Sequence, residues 1–247
     1  MTTHWFPRRA TRPPRRATLF CLPHAGGGVA SYFRWTSLLG ERIDVVPIHL
    51  PGRESRYAEP AYDNLAELAD DLTDAILGEL PPRYSFFGHS MGGLIAFEVT
   101  HRLSQEMVPL PNHLFLSAIR SPLRPGRFED LRDLPDEELI QSVLNRYTPG
   151  ANTSDKEIEL MRLLVKTMRA DVTMLETYRF DANREELDCP ITVLGGRADP
   201  VLNHEELQAW SSLTCNSFDL RLFDGGHFYI RERAAAVCQL VRERVDF

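Results

Sequence analysis

Apolar runs of strand length recur along the chain at 17–22 (ATLFCL), 44–50 (DVVPIHL), 84–88 (YSFFG), 113–119 (HLFLSAI), 190–196 (PITVLGG) and 218–223 (FDLRLF). The segments between them carry helical periodicity. In 64–80, Asn64 is placed to cap a helix whose Leu65, Leu68, Ala69, Leu72, Ile76 and Leu80 share one side, with acidic residues on the other. The segments 93–103 and 234–245 read the same way. Strands alternating with helices predict right-handed crossovers and an α/β fold: a mostly parallel sheet with helices on both faces.

The alternation lapses from about 122 to 188. No strand pattern occurs there, but two helical patterns do, at 134–147 and 154–180. In the second, Ile158, Met161, Leu164, Val165, Met168, Val172 and Leu175 share an apolar face, widened by Leu160, Leu163 and Met174. A core helix would explain such a face. An all-helical insertion between two sheet strands instead predicts a lid, and methionines suit a wall that repacks around a flexible acyl chain.

With 247 residues, 43% of them hydrophobic, the chain can bury a large core, and neither an internal repeat nor a linker divides it. Residues 1–16 hold five arginines and no acid, and predict a basic, disordered leader ahead of one domain at 17–247. Without an apolar stretch the leader does not read as a secretion signal, and no run approaches the roughly 18 apolar residues that cross a membrane. Beyond the leader, 23 basic residues face 35 acidic ones, a balance of −12 that argues against nucleic acid as a partner. Cys21, Cys189, Cys215 and Cys238 form no CxxC pair and no metal-type spacing, and are expected to be buried free thiols in a reducing, cytoplasmic setting.

The candidate chemistry centres on Ser90. Gly88-His89-Ser90-Met91-Gly92 follows an apolar strand and opens a helix, the strand–turn–helix setting of a nucleophile elbow. Such a serine needs a base and an orienting acid. Asp199 stands just beyond the strand at 190–196, and His227 lies in the Gly-rich loop after the strand at 218–223, giving the order serine, acid, histidine. Asp188 and Asp224 compete for the acid role, but Asp188 precedes its strand and Asp224 crowds the histidine. His89 adjoins the serine and reads as a turn-packing residue, with His24 also near the site. His101, His113 and His204 read as solvated or capping. The glycine-rich stretch in LPHAGGGVASYF places the Ala25 N–H, together with that of Met91, for an oxyanion hole. A phosphate loop is the rival reading, but no Walker lysine follows.

LPHAGGGVASYFRW, HLPGRESRYAEP, GHSMGGLIAFEVTHRL, LPDEELIQSVLNRYTP, LLVKTMRADVTMLETYRF, CPITVLGGRADPV and DGGHFYI together resemble the stand-alone type II thioesterases that accompany polyketide synthases and nonribosomal peptide synthetases. The resemblance runs in order over nearly all of the chain beyond residue 17. It implies an α/β-hydrolase fold with a helical lid, acting on acyl thioesters held on the phosphopantetheine arm of an acyl or peptidyl carrier protein. Carried over residue by residue, it makes Ser90 the nucleophile, His227 the base, Asp199 its partner, and Ala25 and Met91 the oxyanion donors. It further implies a role in freeing assembly lines of stalled or aberrant acyl groups; acyl transfer through a serine and a histidine is itself expected to need no metal or cofactor, and the chain is expected to be a monomer. The triad alone also fits an acyl-CoA thioesterase or small-molecule carboxylesterase, and a non-catalytic scaffold keeping the fold is the alternative from another class. Carrier proteins are acidic around their arm, so an acidic body predicts a local basic surface at the entrance. Arg53, Arg56, Arg120, Arg124 and Arg127 are the candidates, against the plainer reading as solvated or salt-bridged loop arginines.

Overall fold

Six strands form where the apolar runs predict them: β1 (Ala17–Leu22), β2 (Ile43–Pro47), β3 (Tyr84–His89), β4 (Leu114–Ser117), β5 (Ile191–Gly196) and β6 (Phe218–Phe223). In the computed structural model, which describes residues 4–6, 16–124, 130–150 and 153–245, they pair in the order β2-β1-β3-β4-β5-β6, and every pairing is parallel. The helices are α1 (Trp35–Leu39), α2 (Leu65–Leu77), α3 (Met91–Gln105), α4 (Asp136–Tyr147), α5 (Asp155–Leu163), α6 (Val165–Thr177), α7 (His204–Gln208), α8 (Tyr229–Glu232) and α9 (Ala234–Val245). Asn64 caps α2 as its sequence suggests, accepting the N–H groups of Ala66 at 2.9 Å and Glu67 at 3.4 Å.

Alternate residues of each strand serve opposite faces. Phe20, Leu22 and Phe86 pack with Leu68, Leu72 and Ile76 of α2 and Ile95 and Val99 of α3. Leu19, Cys21 and Phe87 pack with Trp35 of α1 and Val237, Cys238 and Val241 of α9. The chain turns back after β2 and resumes the sheet on the other side of β1. The crevice outside the carboxyl ends of β1 and β3 is therefore the topological switch point, where sheets of this kind place ligands.

Between β4 and β5, no strand occurs among the described residues and α4, α5 and α6 fill the insertion. Leu131, Leu139, Ile140, Val165, Met168 and Val172 form a small core of its own, while Met174 and Leu175 join the main core. The apolar face expected along 154–180 thus divides between two cores. The single helical pattern also breaks at Leu164, whose φ of −97° and ψ of 4° separate α5 from α6. No glycine or proline marks that break. It lets α6 turn inward with Thr167 and Asp171, while Leu160 and Leu163 of α5 stay exposed.

Four expectations need correction. Trp5 and Phe6, inside the presumed leader, are buried: Trp5 accepts the His49 N–H at 3.0 Å through its carbonyl and lies under Arg56, and Phe6 packs on Phe20. Two large aromatic rings gain more by burial than the local charge pattern costs; residues 7–15 lie outside the described residues. His101 and His113 are buried rather than solvated, His101 edge-on to Phe97 and His113 bonded to Thr192 Oγ1 at 2.8 Å. Cys215 is exposed, whereas Cys21, Cys189 and Cys238 are buried; all four are free. The arginines are considered with the site.

Candidate active site

β3 runs straight into α3 through Ser90, which sits at φ 53° and ψ −122°. A non-glycine residue holds that conformation only when its surroundings enforce it. Here the Ser90 N–H donates to the Ser117 carbonyl at 2.7 Å and the Gly93 N–H to the Ser90 carbonyl at 2.8 Å. The turn is also too tight for side chains on either flank. A Cβ at Gly88 would stand 2.1 Å from the Gly92 carbonyl oxygen, and one at Gly92 would stand 2.2 Å from that of Leu22. Both glycines of the motif are steric requirements of the elbow.

The loops after β5 and β6 are stitched together, with the Ala198 N–H on the Gly225 carbonyl at 3.0 Å and the Arg197 N–H on the Phe223 carbonyl at 2.8 Å. This brings Asp199 Oδ2 to 2.8 Å from His227 Nδ1, with both side chains almost fully enclosed. The rival acids are occupied elsewhere. Asp224 is an exposed partner of Arg197, and Asp188 accepts from Asn216 Nδ2.

His227 stands in a cluster of rings: His89 at 5.5 Å, Phe228 at 5.2 Å and Tyr147 at 4.6 Å between centroids. His89, fully buried, has its Nδ1 2.8 Å from Ser117 Oγ, which lies 2.7 Å from the Tyr229 hydroxyl. That chain ties the elbow strand to the loop bearing His227. Burial holds the His89 imidazole well below its usual pKa, and the neighbouring His227 and His24 add to the effect. His24 is pushed down to about 3 by burial, assisted by Arg231 and His227. The ring against His227 is therefore neutral near neutral pH, as is that of His24 behind it, edge-on to His89 and Phe228.

Ala25 lies in the loop after β1, and Met91 opens α3. As the first residue of its helix, Met91 has an N–H with no carbonyl to meet inside the helix. A serine on a strained turn, a buried histidine–carboxylate pair and backbone donors at a switch point can together perform acyl transfer. Among the described residues, no group of three or more His, Cys, Asp or Glu side chains is arranged to hold a metal ion.

The arginine surface expected at the entrance is mostly committed to internal bonds. Arg53 is buried against Asp171, Arg56 pairs with Glu59 and donates to the His49 carbonyl, and Arg120 lies 2.8 Å from Glu206. Arg124 is exposed, and Arg127 lies outside the described residues. Sequence reasoning passed over Tyr147, Ser117, Tyr229 and Asp171. Only Asp171 carried a signal: it is a lone acid between Met168 and Val172 on an otherwise apolar stripe.

The family model for the thioesterase domain matches residues 17–245. The chain is 34% identical over 229 residues to the gramicidin S biosynthesis protein GrsT of Aneurinibacillus migulanus, covering 92% of this chain and 88% of the relative. Among solved structures it resembles the type II thioesterase BorB from the borrelidin biosynthetic cluster, with 33% identity, a TM-score of 0.87, and 98% and 97% of the two chains covered. It also resembles the RedJ thioesterase from the prodiginine pathway of Streptomyces coelicolor, with 32% identity, a TM-score of 0.87 and coverage of 98% and 93%.

Proposed function

We propose that this chain, which belongs to the thioesterase family and is a thioester hydrolase with an α/β-hydrolase fold, removes stalled or aberrant acyl groups from the phosphopantetheine arms of carrier proteins in a polyketide or nonribosomal peptide assembly line. The 2.8 Å bond between His227 Nδ1 and Asp199 Oδ2, formed by buried groups one ring away from the Ser90 elbow, is the observation that carries the reading. The biosynthetic pathways named for GrsT, BorB and RedJ support the carrier-bound substrate. Free cysteines support a cytoplasmic setting, and no helix among the described residues is long and apolar enough to cross a membrane.

In this reading His227 takes the Ser90 proton as Oγ attacks the thioester carbonyl, and Asp199 holds the imidazole in the required tautomer. The N–H groups of Ala25 and Met91 receive the oxyanion. The carbon–sulfur bond breaks, and the pantetheine sulfur leaves with the proton from His227. Water, losing a proton to the same histidine, then attacks the acyl-enzyme to release the carboxylic acid and restore Ser90. The helical insertion, reaching His227 through Tyr147, serves as the lid over the acyl chain.

The test compares kcat/KM for one acyl group presented on a carrier protein, on CoA and as a p-nitrophenyl ester. The carrier should be preferred. Equal or better turnover of acyl-CoA would make the chain a small-molecule thioesterase, and a folded protein inactive on all three would make it a binding protein.

A further inference from the structure

Asp171, on α6 of the insertion, is fully buried and surrounded by donors. Its Oδ2 accepts the Gly26 N–H at 2.7 Å and Arg53 Nη1 at 3.0 Å, and its Oδ1 accepts Arg53 Nη2 at 2.7 Å. Arg53, itself buried, also donates to the Gly27 carbonyl at 3.1 Å and the Pro51 carbonyl at 3.3 Å. A buried ion pair gains little stability over apolar packing of the same volume. What it holds in place is the stronger reason for it.

It holds the loop that contains Ala25. Peptide units are planar, so the direction of the Ala25 N–H is set by the His24 carbonyl in the same unit. That carbonyl accepts the Gly27 N–H at 2.8 Å. The next unit joins the Ala25 carbonyl to the Gly26 N–H, and Asp171 grips it. Gly26 itself has a φ of +72°, where a glycine chain is otherwise free to move. Both units flanking the Ala25 Cα are thereby fixed: one by the turn, the other by the carboxylate, with Arg53 bracing the carbonyl of Gly27.

We propose that Asp171, braced by Arg53, is a positioning residue that aims the Ala25 N–H at the oxyanion, so that docking of the insertion and the preparation of the catalytic site are one event. This rests on reading Ala25 and Met91 as the oxyanion donors. Asp171 touches no reacting atom. It spans 145 residues of sequence to reach Gly26, joining an element that covers the site to one that stabilises charge within it.

The test uses Asp171→Asn and Arg53→Lys in the full chain, with active sites counted by fluorophosphonate titration so that rates are per functional site. Two quantities are read: kcat and KM on a p-nitrophenyl ester, and the Ki of an alkylboronic acid, whose tetrahedral adduct with Ser90 loads the oxyanion site. Both variants should lose kcat by about tenfold or more with KM within about twofold, and the boronic acid should weaken by a matching factor. A kcat per site within twofold of wild type, a fall in kcat without weaker boronate binding, or failure of both variants to fold would reduce the pair to a structural tie and overturn the proposal. Ser90→Ala is assayed alongside. Residual turnover in that variant would remove the underlying site reading, whatever the Asp171 variants do.

Discussion

The ring of Tyr147, the last residue of α4, lies 4.6 Å from the imidazole of His227 between centroids. The insertion therefore meets the proposed base directly. An aromatic ring there keeps water from the Asp199–His227 pair, whose bond is stronger in a low-dielectric setting. Tyr147→Ala should lower kcat/KM on a p-nitrophenyl ester about tenfold, and Tyr147→Phe should stay within about twofold because the ring is retained. Equal losses in the two variants would assign the effect to the hydroxyl.

The elbow separates chemistry from stability. Ser90→Ala should abolish hydrolysis yet change unfolding free energy by no more than about 1 kcal/mol, since it removes one oxygen and leaves the backbone as it is. Gly88→Ala should do the reverse of a quiet substitution. Its Cβ would fall 2.1 Å from the Gly92 carbonyl oxygen, and urea unfolding should show a loss above about 3 kcal/mol, or no folded protein.

Asp199→Asn keeps a hydrogen-bonding group at His227 but lets the imidazole settle in the wrong tautomer and leaves the imidazolium without a counter-charge. A loss of roughly 10³- to 10⁴-fold in kcat is expected. Asp224→Asn, on an exposed side chain paired with Arg197, should remain within about twofold. Reversed outcomes in the same ester assay would transfer the acid role to Asp224.

Acid should destabilise the fold through its buried histidines. Burial lowers His101 and His113 from 6.5 to about 4, so both stay neutral in the folded chain while the unfolded chain takes up protons below pH 6.5. Stability must then fall as pH drops from 6.5 towards 4, by up to about 1.4 kcal/mol per unit for each histidine. Urea titrations at pH 7 and pH 5 should show this loss, and His101→Leu should reduce it. An unchanged pH dependence in that variant would mean His101 is not the neutral buried group described.

Much of this protein was legible before any coordinate. The six strands, the capped α2, the helical character of the insertion and the glycine–serine–glycine motif around Ser90 are local patterns. A period of two or 3.6 and a motif around a tight turn are properties of neighbouring residues. Gly88 follows the same rule, since the clash it avoids is with Gly92 four positions on, whereas the clash Gly92 avoids is with Leu22 on another strand.

Tertiary structure alone decided which polar groups are withdrawn from water, and that depends on residues far apart in the chain. Arg53 read equally as a cation of the entrance surface and as a solvated or salt-bridged loop arginine, and only α6, supplying Asp171 from 118 positions away, decided for the internal pair. His101, His113, Trp5 and Phe6 were misread, since burial is settled by what packs across from a residue and not by what precedes it. The break at Leu164 has no local cause either. Helical periodicity continues through it, and only the division of one apolar face between two cores, with Asp171 turned towards the loop of Ala25, gives the chain a reason to bend there.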